Sequence, residues 1–335
     1  MDKESAVHFN KRTSGFSTQI ARFGVFIIFG LMVVFFAVSS PRFFTLGNFL
    51  LIIQQASPLG IAVVGMIYVL VVAGIDISIG STMYFVSVIV AMLTYRYNII
   101  TVAMLDNVHG YFIIYFITIA VGIIIGFING FLTTKFKMLP FIVTLSTLNI
   151  LRGFGYMISE STIQQVSSLS GFSNSKIGPI PVIFIIFMLI VVIFDFILRR
   201  SVFGRHLMAI GNSKISAKTA GININRNIII SYIICGALGA LAGVMSAGQI
   251  GSVALNFAEG NEFIVISAAV LGGTSLFGGK GTVFPGAIIG ILLITTIMNG
   301  LAMVNASPYV YTIFRAVIIF LAVMLDSMKY KGDLR

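Results

Sequence analysis

The chain has 335 residues, of which 58% are hydrophobic and only 9% charged, with a mean hydropathy of +1.06. A water-exposed surface needs a far larger charged fraction, so a soluble domain is excluded. The net charge of +11 does not mark a nucleic-acid binder: the basic residues are spread over short loops between apolar runs, as topology determinants and contacts for anionic lipid headgroups.

A bilayer core takes roughly 20 helical residues, and ten apolar segments fit. They are Arg22–Ser39, Gln54–Ala73, Ser78–Tyr95, Tyr111–Thr134, Met138–Ile158, Ile180–Leu198, Asn227–Ala247, Glu262–Phe277, Val283–Val304 and Tyr309–Ser327. The predicted fold is an all-α polytopic membrane protein, one transmembrane domain over residues 1–335. Its expected cytoplasmic parts are a tail at 1–21, a loop at 199–226 and a tail at 328–335. The first run, Phe23–Val38, ends at Ala37-Val38-Ser39, which resembles a signal-peptide cleavage site. It is expected to be retained, because everything after it is also membrane and its removal would leave an odd number of spans.

With both termini in the cytoplasm, Lys3, Lys11, Arg12, Arg22, Lys135, Lys137, Arg199, Arg200, Arg205, Lys214, Lys218, Arg226, Lys280, Lys329, Lys331 and Arg335 all face inward. Only Arg42, Arg96 and Lys176 face outward, while Arg152 and Arg315 lie within spans. That asymmetry follows the positive-inside rule and sets the orientation. The links Gly74–Ile77 and Gly278–Thr282 are short enough to force antiparallel hairpins. Three connections are longer: Arg96–Gly110 outside, with Asp106 and His109; Ser159–Pro179 outside, expected to be irregular; and Arg199–Arg226 inside. An internal repeat is visible. Asn129-Gly130, Pro140–Leu145 and Arg152 match Asn299-Gly300, Pro308–Ile313 and Arg315 five spans later, hence in opposite orientation.

No catalytic, metal or nucleotide site emerges. His8, His109 and His206 have no ligand partner at metal-binding spacing, and Cys235 reads as a small packing residue. Thr274–Gly281 departs from a phosphate-binding loop at its first glycine and at its metal-binding hydroxyl, and it joins two apolar helices. The chain is therefore expected to bind no cofactor of its own.

Asp76, Asp195 and Asp326 are expected at inner helix ends, reached by water, with Glu259 and Glu262 at the outer edge. Only Arg152 and Arg315 then remain inside spans, and both could reach back to the outer surface. An interior without a carboxylate suits a neutral, polyhydroxylated solute better than an ion circuit. Candidate lining groups are Gln54, Gln55, Asn129, Thr144, Thr147, Asn149, Thr295 and Asn299, although for each alone a helix–helix hydrogen bond is the favoured role. Gly122, Gly126 and Gly130 share one helix face, as do Gly239 with Gly243 and Gly286 with Gly290; small residues at this spacing let backbones approach closely. The inner loop Phe203–Asn212, continuing through Ala217–Asn223, reads as a short amphipathic helix bounded by glycines. It would lie on anionic lipid or dock a soluble partner.

That loop, with Gly204-Arg205, Ala209-Ile210-Gly211-Asn212, Ala217 and Ala220-Gly221-Ile222-Asn223, resembles the coupling region of the permeases of bacterial ABC importers in the ribose/galactose/xylose family. Gly74-Ile75-Asp76-Ile77-Ser78-Ile79-Gly80-Ser81 is similar to the family's Gly-Ile-Asp-Leu-Ser-Val-Gly signature. Pro41–Thr45 with Gln54-Gln55, Pro140–Leu145 with Arg152-Gly153, Val270–Gly281, Asn299-Gly300-Leu301 and Ala322–Asp326 also fit, in order over nearly the whole chain.

The resemblance implies a type II importer-like permease of about ten helices in the bacterial cytoplasmic membrane, paired with a second copy or a close homologue. An ATPase subunit carrying ATP and Mg would sit beneath it and a sugar-binding protein above. It implies that Gly204, Arg205, Ala209, Gly211, Asn212, Ala217, Ala220, Gly221, Ile222 and Asn223 form the ATPase-coupling loop. The expected path residues are Gln54, Gln55, Asp76, Asn129, Thr144, Asn149, Arg152, Thr274, Ser275, Asn299 and Arg315. Arg42, Glu259 and Glu262 are expected to meet the binding protein. Family members often carry an aspartate two residues after the glutamate matching Glu262, where this chain has Ile264. The Gly-Ile-Asp signature favours sugars over branched-chain amino acids or nucleosides. The competing reading is a stand-alone secondary transporter or facilitator of a small polar solute.

Overall fold

The structure, a computed structural model, describes residues 29–96 and 108–333. Expectations that fall on residues 1–28 and 97–107, including His8 and Asp106, lie outside the described residues, as does Arg335. Twelve helices account for most of the chain. They are α1 (Phe29–Ser39), α2 (Leu46–Val71), α3 (Ile79–Ala91, continued by a π-helical turn at Met92–Arg96), α4 (Val108–Lys135), α5 (Pro140–Ile158) and α6 (Val182–Arg200). After them come α7 (Val202–Asn212), α8 (Lys214–Thr219), α9 (Ile224–Ile250), α10 (Asn261–Leu271), α11 (Gly286–Met303) and α12 (Pro308–Asp333).

A helix lies at each of the ten expected span positions. Among the described residues, seven are long and apolar enough to cross a membrane: α2, α3 with its π turn, α4, α5, α6, α9 and α11. The apolar stretches in α1, α10 and α12 are shorter.

The helix ends follow local chemistry. Pro140 and Pro308 open α5 and α12, where a missing N–H costs nothing. Ser201, Ser213 and Asn223 cap α7, α8 and α9 by accepting from the amides of Gly204, Ser216 and Arg226. Gly251, in the left-handed region, ends α9.

The chain divides into two compact units. The larger, Leu50–Leu292, is organised around α9. About 72% of the apolar windows of α2, α3 and α9 is buried, against 28% for α4 and α5 and 22% for α6. The first three therefore form the centre and the last three a ring, whose outer faces carry Phe112, Phe116, Ile124, Leu189, Val192 and Phe196.

Lipid gives little hydrophobic drive for helix association, so close backbone packing has to supply it. A Cβ on Gly122 or Gly126 would strike the carbonyl of Gly236 or Tyr232 on α9. On another side of α9, a Cβ at Gly243 would meet the backbone of Met83 on α3. Gly290 of α11 lies against the Ala268 carbonyl of α10 in the same way.

The smaller unit joins the chain up to Phe49 with Leu293 onward. Here Asn48 donates to the Phe43 carbonyl at 2.9 Å and to Asn299 Oδ1 at 3.0 Å, while the Phe36 ring fills the space beside Gly300.

Two connections differ from expectation. Residues 159–181 are not simply irregular. Gln164–Gln165 (β1) pairs antiparallel with Ser252–Val253 (β4), and Lys176–Ile177 (β2) pairs with Ile180–Pro181 (β3). The exposed Arg96–Glu160 pair (2.6 Å) closes the same region, and the guanidinium holds the Glu160 carboxyl below its usual range. That contribution is present above the unfolded carboxyl's pKa and fades as pH falls toward the folded one.

The segment 199–226 holds two helices rather than one, and Gly204 and Gly211 lie inside α7 rather than bounding it. Each is needed for contact, since a Cβ on Gly204 would strike the Leu198 carbonyl. Near them, Asp195 Oδ1 accepts from Arg199 Nε and from the Phe284 amide, each at 2.9 Å, and Arg199 donates to the Phe284 carbonyl.

Replacing Gly126 by Val should force α4 off α9. Overpacking costs about 1–3 kcal/mol or more, so the variant should give a lower melting temperature and less folded protein in detergent. A wild-type melt would show that the close approach is dispensable.

Candidate functional site

Two helices begin inside the bundle rather than at its ends. A Cβ at Gly239 of α9 would meet the Ile79 side chain at 2.7 Å, so α3 starts level with a point eleven residues from the α9 C-terminus. At 1.5 Å per residue that is about 16 Å inward. Gly80 lies against the Glu262 carboxylate and the Ala258 carbonyl, so α10 starts at the same level. Ala73 and Ala258, just before these starts, hold φ of 56° and 58°, a region that costs a non-glycine residue of order 1 kcal/mol. Irregular backbone at this depth is tolerated only when buried in protein or lining a cavity. Both segments meet that condition.

The first break is closed by a polar network. Asp76 Oδ1 accepts from the Ser78 amide at 2.9 Å and from its hydroxyl at 2.6 Å. That hydroxyl accepts from Asn129 Nδ2 at 2.9 Å, and Asn129 Oδ1 accepts from Thr147 at 2.6 Å. The Ile75 carbonyl accepts from Tyr232 at 3.2 Å and from Thr144 at 3.4 Å. Cys235, fully buried, lies beside Asp76.

Four chain segments are thereby tied together. A buried interhelical hydrogen bond contributes only ~0.6 kcal/mol on average, whereas an unmet backbone group in hydrocarbon costs several. The network thus serves mainly to satisfy the break.

The second feature is a cleft of about 400 Å³ lined by Ser81, Leu148, Asn149, Arg152, Gly153, Tyr156, Glu259 and Glu262. Arg152 donates to the carbonyls of Phe257 at 2.8 Å and Leu255 at 3.3 Å, and its guanidinium lies 4.7 Å from the Tyr84 ring centroid. Its head group is thus held against the segment before α10.

A third feature is a three-way junction. The Gly279 amide donates to the Val71 carbonyl at 2.9 Å, and Gly211 of α7 fits so closely over both that a Cβ would strike them. Asn212 Oδ1 packs against Gly279, and Gly278, at φ 87°, against Ala73.

The sequence-derived residues are therefore not one site. Asp76, Asn129 and Thr144 meet in the network; Asn149 and Arg152 meet in the cleft. Thr274 is buried in the turn after α10, where its hydroxyl accepts from the Thr282 amide at 3.3 Å, and Ser275 caps the Phe277 amide at 3.2 Å. Gln54 bonds Asn174 at 2.8 Å near the far end of α9, and Gln55 is exposed. Asn299 and Arg315 belong to the smaller unit.

Two expectations are corrected. Asp76 is 2% exposed, Glu262 7% and Asp326 8%, so Asp76 and Asp326 are not reached by water, Glu262 is not a surface residue, and the interior does hold carboxylates. Hydropathy placed both breaks at the membrane surface, whereas the chain folds back inside. Glu259 and Arg42 are exposed. Ser78, Gly80, Ser81, Tyr84, Tyr156 and Tyr232 were not singled out. The first three lie within the Gly74–Ser81 motif, which is where a signal for them stood.

Comparison with known proteins decides the class. The family described as "Branched-chain amino acid transport system / permease component" matches residues 48–323. This chain belongs to that family. The ribose import permease protein of Bacillus subtilis (strain 168) is 34% identical over 94% of this chain and 95% of its own length. The D-allose transport system permease protein of Escherichia coli (strain K12) is 33% identical over 95% of each. The L-arabinose transport system permease protein of the same strain is 31% identical over 93% of this chain and 92% of its own. No solved structure matches at a significant level. The family consists of multi-pass membrane components of ABC transporters, which implies a separate ATPase and a binding protein as partners.

Replacing Asp76 by Ala would strand both Ser78 donors, at about 1–3 kcal/mol each, and should lower the melting temperature of the purified permease. Asn keeps the one oxygen on which both donors converge and should lose much less. A variant with Ala melting like wild type would exclude the network as the closure of the break.

Proposed function

We propose that this chain is the permease subunit of an ATP-driven importer that carries a monosaccharide, handed over by an extracytoplasmic binding protein, across the bacterial cytoplasmic membrane. Full-length similarity to permeases named for ribose, D-allose and L-arabinose supports the substrate class. The distribution of basic residues supports cytoplasmic termini and ten spans, with α7 and α8 on the cytoplasmic side. Two copies, or one with a close homologue, would enclose the path along α5. That helix leaves Ser146 and Asn149 exposed among apolar residues, a pattern better suited to a water-filled path than to lipid. Arg42 and Glu259 remain candidates for the contact with the binding protein.

The observation that carries the mechanism is the junction at Gly211. An ATPase pressing on the loop Gly204–Asn223 would move α7, and α7 bears on Val71 and Gly279 together. The Val71 arm leads through Ala73 and Gly74 to Asp76 and the start of α3. The Gly279 arm leads back along α10 to Glu262. One push thus reaches both helix starts and the cleft between them.

The burial of Asp76 and Glu262 removes one argument against a secondary transporter, but membership of the ABC permease family decides against that reading, and transport assays test the same point directly. In proteoliposomes, labelled-sugar uptake should require the ATPase, ATP and the binding protein together. Uptake by the permease alone, driven by a pH or sodium gradient, would overturn the proposal. In the complete assembly, Gly211→Ala should cut uptake by roughly 3- to 30-fold, the range for residues along a coupling path, while ATP hydrolysis continues. Gly221, at φ 75° after α8, should behave likewise when replaced by Val. Wild-type uptake in both variants would remove this loop from the coupling route.

A further inference from the structure

We propose that the cleft between α3, α5 and α10 is a binding site of the permease itself, selective for a neutral polyhydroxylated solute, with Glu262 and Arg152 as its two poles. This inference rests on the transport reading above and deepens it: the chain would examine the solute a second time after the binding protein releases it.

The cleft is assembled from three elements. Ser81 comes from the first turn of α3 and Glu262 from the first turn of α10, while Asn149, Arg152 and Tyr156 recur along one face of α5. At about 400 Å³ it lies at the small end of ligand pockets, suited to one small solute.

Its charges define the ligand. The first turn of a helix favours an anion, but at α10 the chain's own buried Glu262 already supplies one, held beside Gly80. Glu259 adds a second carboxylate to the lining. Among the described lining residues Arg152 is the one cation; its Nη1 is committed to the carbonyls of Phe257 and Leu255, and its single charge faces the two carboxylates of Glu259 and Glu262. A sugar acid, a sugar phosphate or the carboxylate of an amino acid would therefore meet net negative charge. Hydroxyl groups suit the lining, since they donate to Glu262 and accept from Arg152, Asn149 or Ser81. The aromatic face of Tyr156 offers an apolar surface for the ring's C–H groups.

The test uses the full permease in lipid nanodiscs without ATPase or binding protein. The chain has no tryptophan, so Tyr156→Trp places a single reporter in the cleft, titrated with D-ribose, D-allose, L-arabinose, D-gluconate and L-leucine. Equilibrium dialysis of the unaltered permease against the same labelled solutes covers any failure of the reporter variant. A saturable response to at least one neutral sugar and none to gluconate or leucine is expected. Glu262→Gln should weaken that binding by about tenfold or more, and Gly80→Ala, whose methyl displaces the carboxylate, should do the same. Binding of none of the sugars, equal binding of leucine or gluconate, or unchanged affinity in Glu262→Gln would overturn the proposal. If the complete importer moves sugar while the isolated permease binds none, only this inference falls; if the complete importer moves none, the transport reading falls with it.

Discussion

The contact of bare backbone on bare backbone along α9 is the constraint from which the rest of the larger unit follows. Gly122 and Gly126 bring α4 onto one side of α9, and Gly243 brings α3 onto another. Dispersion between closely approaching main chains replaces the hydrophobic drive that lipid cannot give. Because α3 is held by its side against the middle of α9, its first turn cannot slide to the membrane surface. The chain between α2 and α3 must then find hydrogen-bond partners inside the protein, and Asp76, Ser78, Asn129, Thr147 and Tyr232 provide them.

The same logic governs the start of α10. Gly80 has no side chain, so the Glu262 carboxylate and the Ala258 carbonyl come directly against α3. Two helix starts therefore share one depth, and both are preceded by an alanine in the left-handed region. Backbone held in such a conformation beside each break is fixed by its surroundings rather than by its own preference. Those surroundings include the cleft on one side and, through Val71 and Gly279, α7 on the other.

Much of this was legible in the sequence. The ten apolar runs located ten helices, because length and hydropathy are the properties a bilayer tests. The spacing of Gly122, Gly126 and Gly130 announced a contact face, although nothing in the spacing named α9 as its partner. The depth of Asp76 and Glu262 was not legible. A hydropathy profile treats each interruption as an excursion into water, and Gly74–Ser78 is too short to show whether it leaves the membrane or folds back within it. Gly204 and Gly211 were misread for a related reason. Glycine near an amphipathic run suggests a helix end when only the local chain is considered, whereas here the Leu198 carbonyl and the Val71–Gly279 pair demand the missing side chain. Arg152 could not be assigned because its partners, two carbonyls in the segment before α10, lie over one hundred residues away.

The clasp formed by Asp195 and Arg199 on Phe284 has a mechanical consequence. It anchors the entrance of α11 to the last turns of α6, while Gly279, five residues earlier, rests on α7 and on the end of α2. Residues 280–283 thus span the gap between a backbone contact with α7 and an anchor on α6, so the length of this four-residue link ties the positions of those two helices to each other.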